Sequence, residues 1–407
     1  MAKMSSKVYI PPEILSLIFV ILPVKSLLRF RCVCKFWCSL IDNPDFVNLH
    51  RKVYNNNKLN SGKLLSLERL GFTRYEGCLL TLREADTLRN IDQIFKTTEK
   101  YDLYGICHSL LLLNRSQNFL SKGMRLCNPS IRKSLLLPPC PLRPSDGYTP
   151  TFALGFATRS EDYKIFAIAF KQPQVNEVPE MRVVVFTLSD PQWAVRDNGL
   201  NIDYSSFKHL FGPYYFCEGA AHWLGNALYG DTSSQFDYPT HLVSLDFDSE
   251  NFTFLELPAS LYDIDTNSGS LFLLGDSLAF FCITPVSLRI WVLKQESGSR
   301  EWSLWFSGGS SSEGFGLFDC VGSTITQRLL YCEGHGGYLI YWKKSYNIRT
   351  CQVRELGQSM SHDVDMTTYF ESLVLCNGYG INQSKCELSV MDDSEKTLTG
   401  SDLILLD

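Results

Sequence analysis

From Ile14 to Leu22 the chain reads ILSLIFVIL, and only Ser16 interrupts the apolar run. This stretch constrains the fold more than any other. Pro11 and Pro12 precede it, and proline suits a first helical turn because that turn needs no N–H donors and gains from a preset φ. Glu13 favours the same end through the helix dipole. The sequence therefore predicts a short helix that is apolar nearly all round. A helix on a domain surface shows one apolar stripe, so this one must be covered on more than one side. Pro23 closes it. Val24, Leu27, Leu28 and Cys32 then recur at three- and four-residue spacing, with Lys25, Ser26, Arg29 and Arg31 between them, which predicts an amphipathic second helix. A third segment holds Cys34, Trp37, Cys38 and Ile41, and Asp42-Asn43-Pro44 is a turn signal. Phe46, Val47 and Leu49 extend the helical pattern for a turn or two. Helices this short form a core that is marginal alone. Their excess apolar surface predicts docking, either on the rest of this chain or on a partner helix.

Residues 54–63, YNNNKLNSGK, are polar and turn-rich, and the pattern changes after them. Helical periodicity gives way to about twenty short apolar or alternating runs broken by Gly, Asn, Asp, Ser and Pro. Ile106–Leu113, Arg125–Cys127, Thr151–Phe156, Lys164–Phe170 and Arg182–Leu188 are among the clearest expected strands. A loose repeat runs through them, an apolar strand and turn followed by pairs such as HLVSLDFDSE and FTFLELP, and recurs every 45 to 60 residues or roughly one propeller blade. A large β-sandwich would not explain that repeat. The expectation is a propeller of six or seven blades, with strands near 64–82 and 372–406 closing the ring.

Two resemblances follow from these residues. Ile10-Pro11-x-Glu13-Ile14-Leu15, Ile18, and the ungapped run from Leu22 to Trp37 resemble an F-box of the plant type. Leu17 and Ile21 stand where that family usually carries polar or charged residues, and the readings for them are stronger adaptor binding, packing on the C-terminal domain, or a free protein prone to self-association. The resemblance implies a Skp-family adaptor as partner, and through it a cullin. The positions that would make the contact are Pro11, Ile14, Leu15, Ile18, Leu22, Pro23, Leu27, Leu28, Cys32, Val33 and Trp37. Further along, Gly105-Ile-Cys107, Cys127-Asn128-Pro129-Ser130, Leu154-Gly155-Phe156 with Asp162-Tyr163-Lys164, His222-Trp223, Gly275-Asp276-Ser277 and Ile290-Trp291-Val292 resemble, in that order, the plant F-box-associated, kelch-like domain. The expected organisation is thus α+β and multidomain. A small three-helix F-box over 8–53 precedes a linker at 54–63 and an all-β kelch-like propeller over 64–407 that would recognise a protein substrate. The resemblance implies a non-catalytic substrate receptor of a Skp–cullin–F-box ubiquitin ligase. The other readings are an F-box protein acting with its adaptor outside a ligase, and a propeller that senses a small ligand.

The remaining features narrow the chemistry. Net charge is −5, which does not favour nucleic acid or an acidic membrane as partner. The N-terminal residues form no signal-peptide core and the first helix is too short to span a bilayer, so the expected location is intracellular and soluble, in nucleus or cytoplasm. The fourteen cysteines sit singly inside apolar runs and read as small buried hydrophobes. The seven histidines show no metal-ligand spacing, and no cofactor, metal or catalytic residue is expected. His222-Trp223 reads as a packed blade position, and Asp162 and Asp246-x-Asp248 as turn residues. Gly308 opens a glycine- and serine-rich loop without a phosphate-binding lysine. Residues 172–181, 197–212 and 230–239, with Tyr204, Phe207, Phe211, Tyr214, Tyr215, Phe236 and Tyr238, are candidate recognition rims. No residue fixes the substrate.

Overall fold

The computed structural model describes residues 10–55, 63–69, 78–84, 89–97, 101–115, 124–171, 180–196, 207–227, 239–258, 269–275, 277–283, 287–296, 299–309, 318–323, 328–334, 341–347, 350, 352–359, 364–375, 388–390 and 403–404. The chain opens with four helices: α1 (Pro12–Phe19), α2 (Val24–Phe30), α3 (Lys35–Ile41) and α4 (Pro44–Asn55). Four replace the expected three because the turn signal at Asp42-Asn43-Pro44 starts a new helix. Asn43 Oδ1 accepts from the Asp45 N–H, and Pro44 opens the first turn, where no N–H is needed. α4 then runs to Asn55, and the first strand begins at Lys63, so the ends of the segment read as a linker belong to elements.

The described strands form five sheets arranged as a propeller. The first sheet pairs Val364–Thr368 with Lys63–Arg69, followed by Cys78–Glu84, Asn90–Thr97 and Leu403–Ile404. The ring is therefore closed by chain from both ends: Leu64 faces Thr368 and Glu68 faces Val364 in an antiparallel ladder. This removes a sheet edge. The second sheet runs from Tyr101–Cys107 outward through Leu110–Arg115, Arg125–Asn128 and Lys133–Leu136 to Leu388–Val390. The third spans Tyr148–Ala157 to Trp193–Val195, and the fourth Phe207–Cys217 to Phe252–Glu256. The fifth has eight strands between Gly269 and Ser359. The expectation of six or seven blades is corrected to five. A single parallel pairing, Leu274 with Gly322, joins two four-stranded meanders into one double-width sheet, which a repeat-length argument cannot foresee.

Neighbouring blades are tied by polar contacts, from fully buried to exposed. The Tyr214 hydroxyl donates to the Leu154 carbonyl at 3.1 Å and accepts from the Leu154 N–H at 2.6 Å. Gly105 makes room for it, since a Cβ there would lie 1.7 Å from that hydroxyl. Lys164 Nζ donates to the Phe247 carbonyl and to Glu250, and Asp248 accepts from the Arg159 N–H. These pairs answer the partners that buried polar groups require. They also place Asp162, Asp246 and Asp248 in turn roles: Asp162 accepts from the N–H of Tyr163, and Asp246 from that of Ser249.

Candidate functional site

The helices sit on one side of the propeller and share a core with it. Leu15, Phe19, Val24, Leu27, Ile41 and Val47 are buried in one cluster with Leu110, Leu126, Leu135, Phe156 and Leu373. α2 packs on the short 3-10 turn Pro129–Ile131, between two strands of the second sheet. A strap formed by Tyr369–Leu375 lies in the same junction. It leaves the closing strand, and Leu373, Val374 and Leu375 are fully buried. Asn128 holds it: its side-chain N–H groups donate to the carbonyls of Ser372 at 3.1 Å and Val374 at 2.7 Å, and its Oδ1 accepts from the Ser130 N–H. Ser109 and Ser372 join their hydroxyls nearby, and Tyr369 pairs with Ser130.

α4 carries the polar side of the junction. The Arg51 guanidinium lies 4.0 Å over the Phe156 ring, a cation–π contact out of water. Its Nη1 stands 3.5 Å from His108 Nε2. Arginine can only donate, so Nε2 accepts and the ring proton sits on Nδ1, 3.2 Å from the Tyr163 hydroxyl. Burial, and then the Arg51 charge, push the His108 pKa down to about 3, so the ring is neutral. His50 Nε2 donates to the Leu22 carbonyl at 2.9 Å and ties α4 back to the end of the first helix. At the rim Lys25 meets Asp92 and Lys52 meets Glu161.

The other side of the helices is bare. Ile14, Leu17, Ile18 and Ile21 are 48, 61, 44 and 61% exposed, and Val33 is 60% exposed in the turn between α2 and α3. Ile10 and Phe36 add to this surface. Inside, Phe19, Phe30 and Trp37 form an aromatic triad with centroids 4.9 to 5.4 Å apart.

Residues 9–49 match the family described as the F-box domain, and residues 81–308, over half of the chain, match the F-box associated beta propeller domain. The chain belongs to the F-box family with an associated β-propeller. An F-box/kelch-repeat protein of Arabidopsis thaliana is 25% identical over 306 residues, covering 72% of this chain and 78% of the relative. F-box protein CPR1 of the same plant is 26% identical over 318 residues, covering 73 and 72%. F-box domains bind Skp-family adaptors, which makes the bare face of the F-box the candidate site.

The predicted contact residues divide across the F-box. Pro11, Ile14, Ile18, Pro23, Cys32 and Val33 are exposed, and Leu22, Leu28 and Trp37 are partly covered. Leu15 and Leu27, at 5 and 0% exposure, are instead buried in the core that the helices share with the propeller. Leu17, Ile21 and Phe36 were not in the predicted set, yet all three lie open. Helical spacing from Ile14 was the signal that could have found the first two. On the propeller, His222 is buried, with Nδ1 2.7 Å from the Ser244 hydroxyl, and Trp223 is fully enclosed. Both are packing residues, as the sequence suggested. Of the candidate rims, Tyr204, Phe236 and Tyr238 lie outside the described residues, whereas residues 207–212 belong to the long strand Phe207–Cys217. Among the described residues no three His, Cys, Asp or Glu side chains group as metal ligands, and no helix is long and apolar enough to cross a membrane.

Proposed function

We propose that this protein is the substrate-receptor subunit of a Skp–cullin–F-box ubiquitin ligase, with ubiquitination and proteasomal degradation of a bound protein as the outcome. One observation carries the reading: the F-box seals one apolar face into the propeller and leaves the other, centred on Ile14, Ile18 and Val33, open to a partner. The adaptor would cover that face by burial of apolar area. The propeller would hold the substrate, and the complex would act by raising the substrate's effective concentration near a ubiquitin-charged enzyme. In this role the chain supplies no bond-making group of its own.

The test is binding of a Skp-family adaptor to the full chain and to Ile18→Asp. Ile18 is solvent-facing, so the fold survives the change, and affinity falls roughly thirty-fold or more, as for an interface hot spot. A wild-type chain that binds no adaptor contradicts the proposal.

A further inference from the structure

The open row on the first helix is longer than the predicted contact set. Ile14, Leu17, Ile18 and Ile21 follow the i, i+3, i+4, i+7 spacing that places side chains on one helix face. Leu15 and Phe19 turn the other way and are buried, Phe19 against Phe30 and Trp37. Leu17 and Ile21 are the most exposed large apolar side chains among the described residues, at 61% each. Neither packs on the propeller, which removes the structural explanation for their apolar character. Leu17 neighbours both Ile14 and Ile18, and Ile21 continues the row into the turn after Phe19. A partner that closes over Ile14 and Ile18 must therefore also meet Leu17, and with it the row's end.

We propose that Leu17 and Ile21 enter the adaptor interface and are buried there together with Ile14 and Ile18. The partner is a Skp-family adaptor, whose surface opposite Leu17 and Ile21 would have to be apolar, because a polar group there would be left unpaired on binding. This rests on the adaptor-binding reading above.

The experiment is calorimetric titration of a Skp-family adaptor with the full chain, the double variant Leu17→Gln and Ile21→Gln, and Ile14→Asp. Both glutamines replace solvent-facing side chains, and unchanged near-ultraviolet circular dichroism confirms the fold. The double variant is expected to bind roughly tenfold weaker or worse, with a less negative heat-capacity change because less apolar area is buried. Ile14→Asp is expected to abolish binding. If the double variant stays within about twofold of wild type while Ile14→Asp fails to bind, the inference is wrong and the adaptor reading stands. If Ile14→Asp binds normally, both fall. Sedimentation of the free chain separates the remaining occupant: self-association lost in the double variant, with adaptor affinity unchanged, would assign the row to a second copy and overturn the proposal.

Discussion

His108 shows how one residue can serve the junction and set its response to acid. It occupies the hairpin turn between Tyr101–Cys107 and Leu110–Arg115 with a left-handed φ of 55°, and it meets Arg51 from the F-box and Tyr163 from the third sheet. The sequence predicts Ile106–Leu113 as a single strand, because the run hides a two-residue turn that only a positive φ reveals. The ring's pKa is about 3 when folded, against an ordinary 6.5. Above 6.5 the ring is neutral in both states and pH has no leverage through it. Below 6.5 the unfolded chain takes up a proton that the folded chain refuses, so stability falls as pH drops toward 3. Buried His222, lowered to about 4 by desolvation and then by Arg300, adds to the same loss. Denaturant midpoints measured between pH 7 and 4 should decline in the wild type and decline less in His108→Gln. An equal decline in both would remove His108 from the account. Leu15 and Leu27 carry a related lesson. Their apolar spacing was legible, but periodicity does not say which of two covers an apolar side chain will meet.

At the scale of elements, the Tyr369–Leu375 strap joins ring closure to F-box docking. It follows the strand that closes the first sheet, Tyr369 N–H donates to the Lys63 carbonyl, and Lys63 pairs with Glu371 at 2.8 Å. Asn128 then satisfies two of the strap's buried carbonyls. Asn128→Leu leaves those carbonyls unpaired, at about 1–3 kcal/mol for each buried group. Chemical denaturation should show that loss as a lower midpoint in one shared transition, followed by tryptophan fluorescence and by circular dichroism. A variant that loses the F-box signal first, with the propeller signal unmoved, would show that the strap does not couple them. The sequence drew attention to Cys127-Asn128-Pro129-Ser130 only through resemblance, because the carbonyls that Asn128 meets lie more than 240 positions away. Strands were more accessible. Thr151–Phe156, Lys164–Phe170 and Arg182–Leu188 all lie within or nearly within observed strands, since their alternation is a local property. Phe207–Cys217 escaped for the opposite reason. Its polar and aromatic mixture reads as a rim, whereas Tyr214 is a buried lock between blades.

At the scale of the whole molecule, the apolar helices can be covered by their own chain or by a partner. The structure divides the cover by face. Leu15, Phe19 and Leu27 turn into the core that the helices share with the propeller; Ile14, Ile18 and Val33 are open to solvent. The F-box therefore has a fixed seat, held by a shared core, by Arg51 over Phe156 and by the strap. In the proposed ligase, an F-box seated this way would present adaptor and substrate in one set geometry instead of through a flexible tether. The most direct measurement is hydrogen–deuterium exchange of the full chain with and without a saturating Skp-family adaptor. New protection is expected in the first helix and in the turn around Val33, with exchange at Cys107–Leu110 and Ser372–Leu375 unchanged. Faster exchange at those junction segments on adaptor binding would contradict this, because the F-box would then have to leave its seat to engage its partner.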